Sequence, residues 1–130
     1  MVRYLLVTHG EIGQALAECA YQIFNKKIDR LECISINPID DIDKKKYLIS
    51  QTINRIDSGD GVIIFTDIIG ATPCNILKEF IVENKVSVLT GVNLAMIIKA
   101  LSSKNKPLES IIQESLDSAL DNILKVSQDD

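Results

Sequence analysis

Apolar positions in this chain follow two alternating patterns: short unbroken runs, and stretches where they recur every third or fourth residue. Tyr4 to Thr8 is a run of the first kind, closed by Gly10, as expected of a strand covered on both faces of a parallel sheet. From Glu11 to Phe24 the residues Ile12, Ala15, Leu16, Cys19 and Ile23 recur at three and four, which predicts a helix with those side chains inward. Leu31 to Ile36 is again strand-like and stops at Asn37-Pro38. Asp40, Asp41 and Asp43 then place negative charge at the start of a second helix carrying Ile49, Ile53 and Ile56. Ser58-Gly59-Asp60-Gly61 is a turn, and Val62 to Thr66 is a third strand ending at Asp67. Thr72 as cap and Pro73 in the first turn predict a third helix reaching about Asn84, with Ile76, Leu77, Phe80 and Ile81 buried. Val86 to Leu89 reads as a fourth strand, Thr90-Gly91 as a turn, and Asn93 as the cap of a helix over Leu94 to Leu101. A last helix begins near Leu108, with Ile112, Leu116, Ala119, Leu120 and Ile123 inward.

This alternation predicts an α/β fold: a doubly wound, mainly parallel four-stranded sheet of order 2-1-3-4 with helices on both faces. The expected organisation is one domain over residues 1–130. At 46% hydrophobic and 25% charged residues, the composition excludes a disordered chain. Fourteen basic against 18 acidic side chains give a net charge of −4, and no basic stripe runs along any element, which argues against a nucleic-acid partner. Cys19, Cys33 and Cys74 are odd in number and lack a C-x-x-C pair to hold a metal, so they read as buried thiols of a reducing compartment. The opening apolar run is too short for a signal peptide, and charged or amide residues break every longer one, so a cytoplasmic location is expected. The run Lys44-Lys45-Lys46 reads as the solvated side of the second helix.

In a doubly wound sheet, functional groups gather beyond the carboxyl ends of the strands, where the strand order reverses. His9, the one histidine, stands between a buried strand and the start of a helix, where an imidazole is accessible and can act as a nucleophile near neutral pH. The helix start beside it, including Gly10, offers backbone donors to an anion. Asp67 ends the third strand. With strands one and three adjacent, its carboxylate reaches a ring nitrogen of His9, fixing the tautomer and stabilising positive charge on the ring. Gly70, Ala71 and Thr72 form a small-residue loop whose backbone N–H groups and hydroxyl can approach a phosphoryl oxygen. The same residues also admit purely structural roles: Asp67 as a turn cap, Gly70 and Gly91 as left-handed backbone positions, Thr72-Pro73 as a helix start. An acidic pair after the first strand, which a magnesium-binding receiver domain needs, is replaced by Thr8-His9. A flavodoxin's hydroxyl-rich phosphate loop is equally missing from His9-Gly10-Glu11-Ile12-Gly13.

Thr8-His9-Gly10, the segment Thr66 to Asn75, and Thr90-Gly91-Val92-Asn93-Leu94, in that order at three strand ends, resemble the mannose-family IIA component of the bacterial phosphoenolpyruvate-dependent sugar phosphotransferase system. The resemblance covers nearly the whole chain. It implies a phosphotransferase in which His9 accepts a phosphoryl group from the phosphocarrier HPr and passes it to a IIB protein, with Asp67 orienting the ring. It implies neither a metal nor an organic cofactor, and membrane association only through a permease. It also implies a homodimer that exchanges an antiparallel edge strand near the C-terminus, for which Leu124 to Ser127 is the candidate segment. Ile69, Ala71 and Thr72 depart from the aromatic, glycine and serine common in the family's third-strand loop, and Ala95 stands where proline is frequent, while the hydroxyl and Pro73 are kept. Because the chain stops at Asp130 without a fused IIB domain, the acceptor is expected to be a separate protein. The alternative is a stand-alone phosphoprotein that reports phosphorylation state without sugar transport.

Overall fold

The structure is a computed structural model and describes residues 1–103 and 105–130. Four strands, β1 (Arg3–His9), β2 (Leu31–Ile36), β3 (Val62–Phe65) and β4 (Val86–Leu89), form one sheet of order β2-β1-β3-β4 in which every pairing is parallel. Five helices connect or follow them: α1 (Ile12–Phe24), α2 (Ile42–Ile56), α3 (Thr72–Leu77), α4 (Leu94–Ser102) and α5 (Leu108–Asp121). The chain moves from β1 outward to β2, then crosses back to β3 on the other side of β1. The reversal of strand order therefore lies between β1 and β3.

Period-two alternation along the central strands divides the core into two layers. Tyr4 and Leu6 of β1 and Ile63 and Phe65 of β3 pack with α1, α4 and α5, while Leu5, Val7, Val62 and Ile64 pack with α2 and α3. Because both faces are covered, these strands carry apolar residues at nearly every position, which is why they read as unbroken runs.

The helices differ in places from what the sequence predicts. α1 turns Gly13, Ala17 and Ala20 fully inward, with Leu16 partly buried against the same core, and leaves Ile12, Ala15, Cys19 and Ile23 exposed, so the side chains it buries completely are the small ones. Cys33 is half-buried and only Cys74 is fully buried, so the cysteines do not share the buried setting expected of them. α3 stops at Leu77 and tightens into a 3-10 turn over Lys78–Phe80, with Ile81 exposed. A continued helix would conflict with the tight return to β4, where the Val86 and Lys85 N–H groups donate to the Val82 carbonyl and Asn84 adopts a left-handed φ of 62°. Ala71, not Thr72, occupies the N-cap position of α3, and no side chain caps it. Leu120 is exposed and Ile123 lies beyond the end of α5, also exposed. Residues 124–127 form no strand within the chain. Instead the Ser127 N–H donates to the Asp130 carboxylate in a terminal turn, and β4 pairs along one side with β3 and otherwise makes a single bridge to Val82.

The cap of α4 follows the sequence reading, and one of the three aspartates read as charge at the start of α2 is that helix's cap. The Asp41 carboxylate accepts from the Asp43 and Lys44 N–H groups, and the Asn93 side chain accepts from Met96 N–H at 2.9 Å. α1 has no such cap. Its Gly13 N–H donates to the buried Thr8 hydroxyl at 2.8 Å, which seats the helix directly on the end of β1. A Cβ at Gly13 would lie 3.0 Å from Thr8 Oγ1 and 3.2 Å from Leu6 Cβ, both on the central strand and unable to yield. Gly13→Ala is therefore expected to lower stability by about 1–2 kcal/mol despite alanine's higher helix propensity. Urea unfolding of the two proteins measures this, and a more stable variant would contradict the close seating of α1.

Candidate functional site

The β1–β3 register brings two strand ends together. Leu6 pairs with Phe65, and three residues beyond the first and two beyond the second stand His9 and Asp67. Asp67 Oδ2 lies 2.8 Å from His9 Nδ1 and also accepts the His9 backbone N–H at 3.1 Å, while Oδ1 accepts the Ile68 N–H at 3.0 Å. An ionised carboxylate only accepts, so Nδ1 carries the proton and Nε2 keeps its lone pair. The Asp67 side chain is 10% exposed and that of His9 46%. The orienting group is thus sheltered and the ring is open to solvent.

Burial by itself pushes the Asp67 carboxyl upward. Hydrogen bonds from the His9 ring and from the His9 and Ile68 backbone N–H groups, with the charge attraction of His9, outweigh that effect and hold it below the ordinary carboxylate value. The charged, accepting form of Asp67 is therefore the stable one.

Neighbouring loops fix both partners. Gly10 takes a left-handed φ of 45° immediately after His9, and its N–H donates to the Ile36 carbonyl, turning the chain from β1 into α1. From the other side, Gly91 N–H donates to the Asp67 carbonyl at 2.8 Å and Val92 N–H to the Thr66 carbonyl at 3.0 Å. The β4–α4 loop thus clamps the backbone on both sides of the carboxylate. The Asn75 side chain donates to the Gly70 carbonyl and closes the loop that follows Asp67.

A cavity of about 270 Å³ opens beside the ring, lined by His9, Asn37, Asp40, Lys45, Thr72 and the apolar side chains of Ile42 and Ile76, among others. Of the sequence-predicted phosphate-loop residues, Thr72 shares this wall with His9. Gly10, Gly70 and Ala71 lie in the adjoining loops and do not line it. Lys45 was expected on the solvated side of its helix. Instead its ammonium donates to the Ser35 carbonyl at 2.8 Å, lies 3.5 Å from Asp40, and faces the cavity. Asn37 and Asp40, the second joined to the Asn37 N–H at 2.7 Å, complete a polar wall that the sequence analysis did not single out. The available signal was the Asn37-Pro38 turn at the end of β2, a third loop on the same rim.

The arrangement presents a solvent-facing imidazole nitrogen with its tautomer set, beside a wall bearing one hydroxyl, one amide, and one ammonium paired with the Asp40 carboxylate. Such a site can accept a small electrophilic anion on nitrogen and hold its oxygens. Among the described residues no helix is long and apolar enough to cross a membrane.

Known structures share this fold. The PTS IIA protein associated with the fucose utilization operon of Streptococcus pneumoniae is 23% identical, with a TM-score of 0.86 over 98% of this chain and 95% of that one. The phosphotransferase system component EIIA from Streptococcus agalactiae is 18% identical, with a TM-score of 0.83 over 96% of this chain and 97% of that one. The mannose/sorbose specific IIA subunit from Enterococcus faecalis is 16% identical, with a TM-score of 0.83 over 96% and 94% of the two chains. The model of the EIIA-man family, described as the PTS system fructose IIA component, matches residues 3–120. The chain belongs to this family, and its role is phosphotransfer within the sugar phosphotransferase system.

Proposed function

We propose that the protein is a single-domain phosphocarrier that accepts a phosphoryl group on His9 Nε2 from an HPr-type donor and passes it to a separate IIB protein of a mannose-family sugar system. The observation that carries this reading is the 2.8 Å contact between His9 Nδ1 and Asp67 Oδ2, which leaves Nε2 unprotonated and facing solvent. As Nε2 bonds to phosphorus, the bond from phosphorus to the donor's leaving atom breaks. The ring becomes an imidazolium, and the Asp67 carboxylate, already ionised and hydrogen-bonded to Nδ1, stabilises that charge without taking its proton. On the cavity wall, Thr72 supplies a hydroxyl donor and Lys45 a positive charge for the phosphoryl oxygens. Gly10, Gly70 and Ala71 shape the loops that leave this approach open.

A macromolecular donor suits the surroundings better than a small one. Ile12, at the start of α1 just beyond His9, and Ile68 and Ile69, directly after Asp67, are all exposed, and Ile69 is 73% exposed. A partner's surface can cover these side chains during transfer, whereas a free metabolite would leave them wet. In this reading the protein works in the cytoplasm, as a homodimer supported by the open outer edge of β4, and meets the membrane only through the permease its acceptor serves.

Incubation with phosphoenolpyruvate, enzyme I and HPr is expected to add about 80 Da in an acid-labile form, detected by intact-mass measurement. His9→Ala should take up none, and a labelled His9→Ala protein would refute the assignment. Chasing the label into a cognate IIB protein tests the second half of the relay.

Asp67→Asn is expected to slow phosphorylation by at least about tenfold with the fold retained. The same variant gives a stability test whose sign follows from the depressed carboxyl. A group held below its unfolded value stabilises the fold at pH above that value, 3.8 for a free carboxyl, and loses this contribution as pH falls through the folded one. The stability gap between wild type and Asp67→Asn in urea should therefore be widest near neutrality and close in acid. A gap independent of pH would mean that the hydrogen bonds do not favour the ionised form.

A further inference from the structure

The amino end of the sheet carries a second feature that phosphotransfer at His9 does not use. β1 begins at Arg3 and ends at His9, so the two ends lie about 20 Å apart along the strand. At the Arg3 end is a cavity of about 700 Å³, within the usual range for small-molecule sites. Arg3, Lys26, Lys27 and Arg30 line it, four cations facing the single carboxylate of Asp29, in a chain whose net charge is −4. The remainder of the wall is largely apolar, with Phe24, Ile28 and Leu101 the main contributors.

Arg30 is the unusual member. It is only 8% exposed, and among the described residues no carboxylate forms an ion pair with it. Its partners are formally neutral: Nη2 donates to the Leu101 carbonyl at 3.0 Å, and the guanidinium lies 5.7 Å from the centre of the Tyr4 ring. A guanidinium has five N–H donors, and a buried charge without a counter-ion is costly. Beside it, Arg3 Nε is sealed from solvent with no hydrogen-bond acceptor. Two guanidinium groups on one cavity wall, neither in an ion pair among the described residues, suit a multiply charged anion, because each can hold two oxygens. Phosphate oxygens match this fork geometry, and the volume and the Phe24–Leu101 wall leave room for an apolar or aromatic body behind the charged head.

We propose that this cavity is a binding site for a nucleotide-sized organic phosphate, its phosphates on Arg30 and Arg3 with Lys26 and Lys27 at the mouth, and its body on Phe24 and Leu101. The site is independent of the chemistry at His9 and stands whether or not His9 carries phosphate.

ADP, pyrophosphate and adenosine are suitable probes, followed on the full chain by thermal shift and by backbone amide NMR. ADP should raise the melting temperature and perturb amides around Arg3, Phe24 and Arg30. Pyrophosphate should bind more weakly at the same residues, and adenosine should not bind. Lys26→Gln/Lys27→Gln changes two exposed side chains, so the fold is retained, and should weaken ADP binding about tenfold. His9→Ala should bind ADP as wild type does. The assignment is overturned by an absence of amide perturbation around Arg30, by perturbation confined to the His9 rim, by adenosine binding as tightly as ADP, or by undiminished affinity in the double lysine variant.

Discussion

Everything at the reactive end of the sheet depends on the register between β1 and β3. One carboxylate oxygen of Asp67 accepts two donors from His9, one from the ring and one from the backbone, while the other oxygen accepts from Ile68 N–H. A one-residue slip would move every side chain of the strand to the opposite face, exchanging the two core layers and removing the carboxylate from the ring. The same burial that excludes such a slip fixes the site. Val62 to Phe65 are fully buried, as are Tyr4 to Val7, so the core holds the two strand ends to one relative position. The loop after β4 adds its own constraint through the Gly91 and Val92 N–H groups on either side of Asp67.

Sheltering the acid and exposing the ring divides two requirements between two residues. The orienting group gains from low solvent exposure, because its hydrogen bonds strengthen as water leaves. The group that meets a partner gains from access. The Thr8 hydroxyl performs a similar service from the buried side: by accepting from Gly13 N–H it joins α1 to the end of β1, so the helix that begins beside His9 cannot shift independently of the strand.

What the sequence made legible follows the same physics. β2 and β4 were read with their observed ends, and β1 and β3 to within a residue, because strands covered on both faces leave continuous apolar runs bounded by turn residues. The pairing of His9 with Asp67 could be anticipated from topology, since both end strands that flank the reversal of order. The inward face of α1 could not be found by seeking the largest apolar residues. Close approach of helix to strand selects small side chains, and the informative signal was Gly13, Ala17 and Ala20 at intervals of four and three. The length of α3 was overread because Phe80 and Ile81 continue a helical spacing, whereas the backbone there is already committed to the turn that feeds β4. Lys45 was hidden within a run of three lysines. Only the fold shows that the middle one caps the Ser35 carbonyl and faces the cavity beside His9.

The two ends of the sheet attract anions by different means, and the helix direction explains why. In an α/β fold the helices run against the strands, so their N-terminal N–H groups gather at the carboxyl ends of the strands and supply partial positive charge there from the backbone. One ammonium, that of Lys45, lines the cavity at that end. At the opposite end α1 and α4 present C-terminal carbonyls, whose partial charge repels an anion. A single cation answers the end of α4, and Arg30 does so through the Leu101 carbonyl. Arg3, Lys26 and Lys27 exceed what helix capping requires, and they converge on one cavity rather than spreading over the surface of an acidic protein. An anion held there must be bound by formal side-chain charge against the helix dipoles, and the two arginines with the two lysines at the mouth supply that charge.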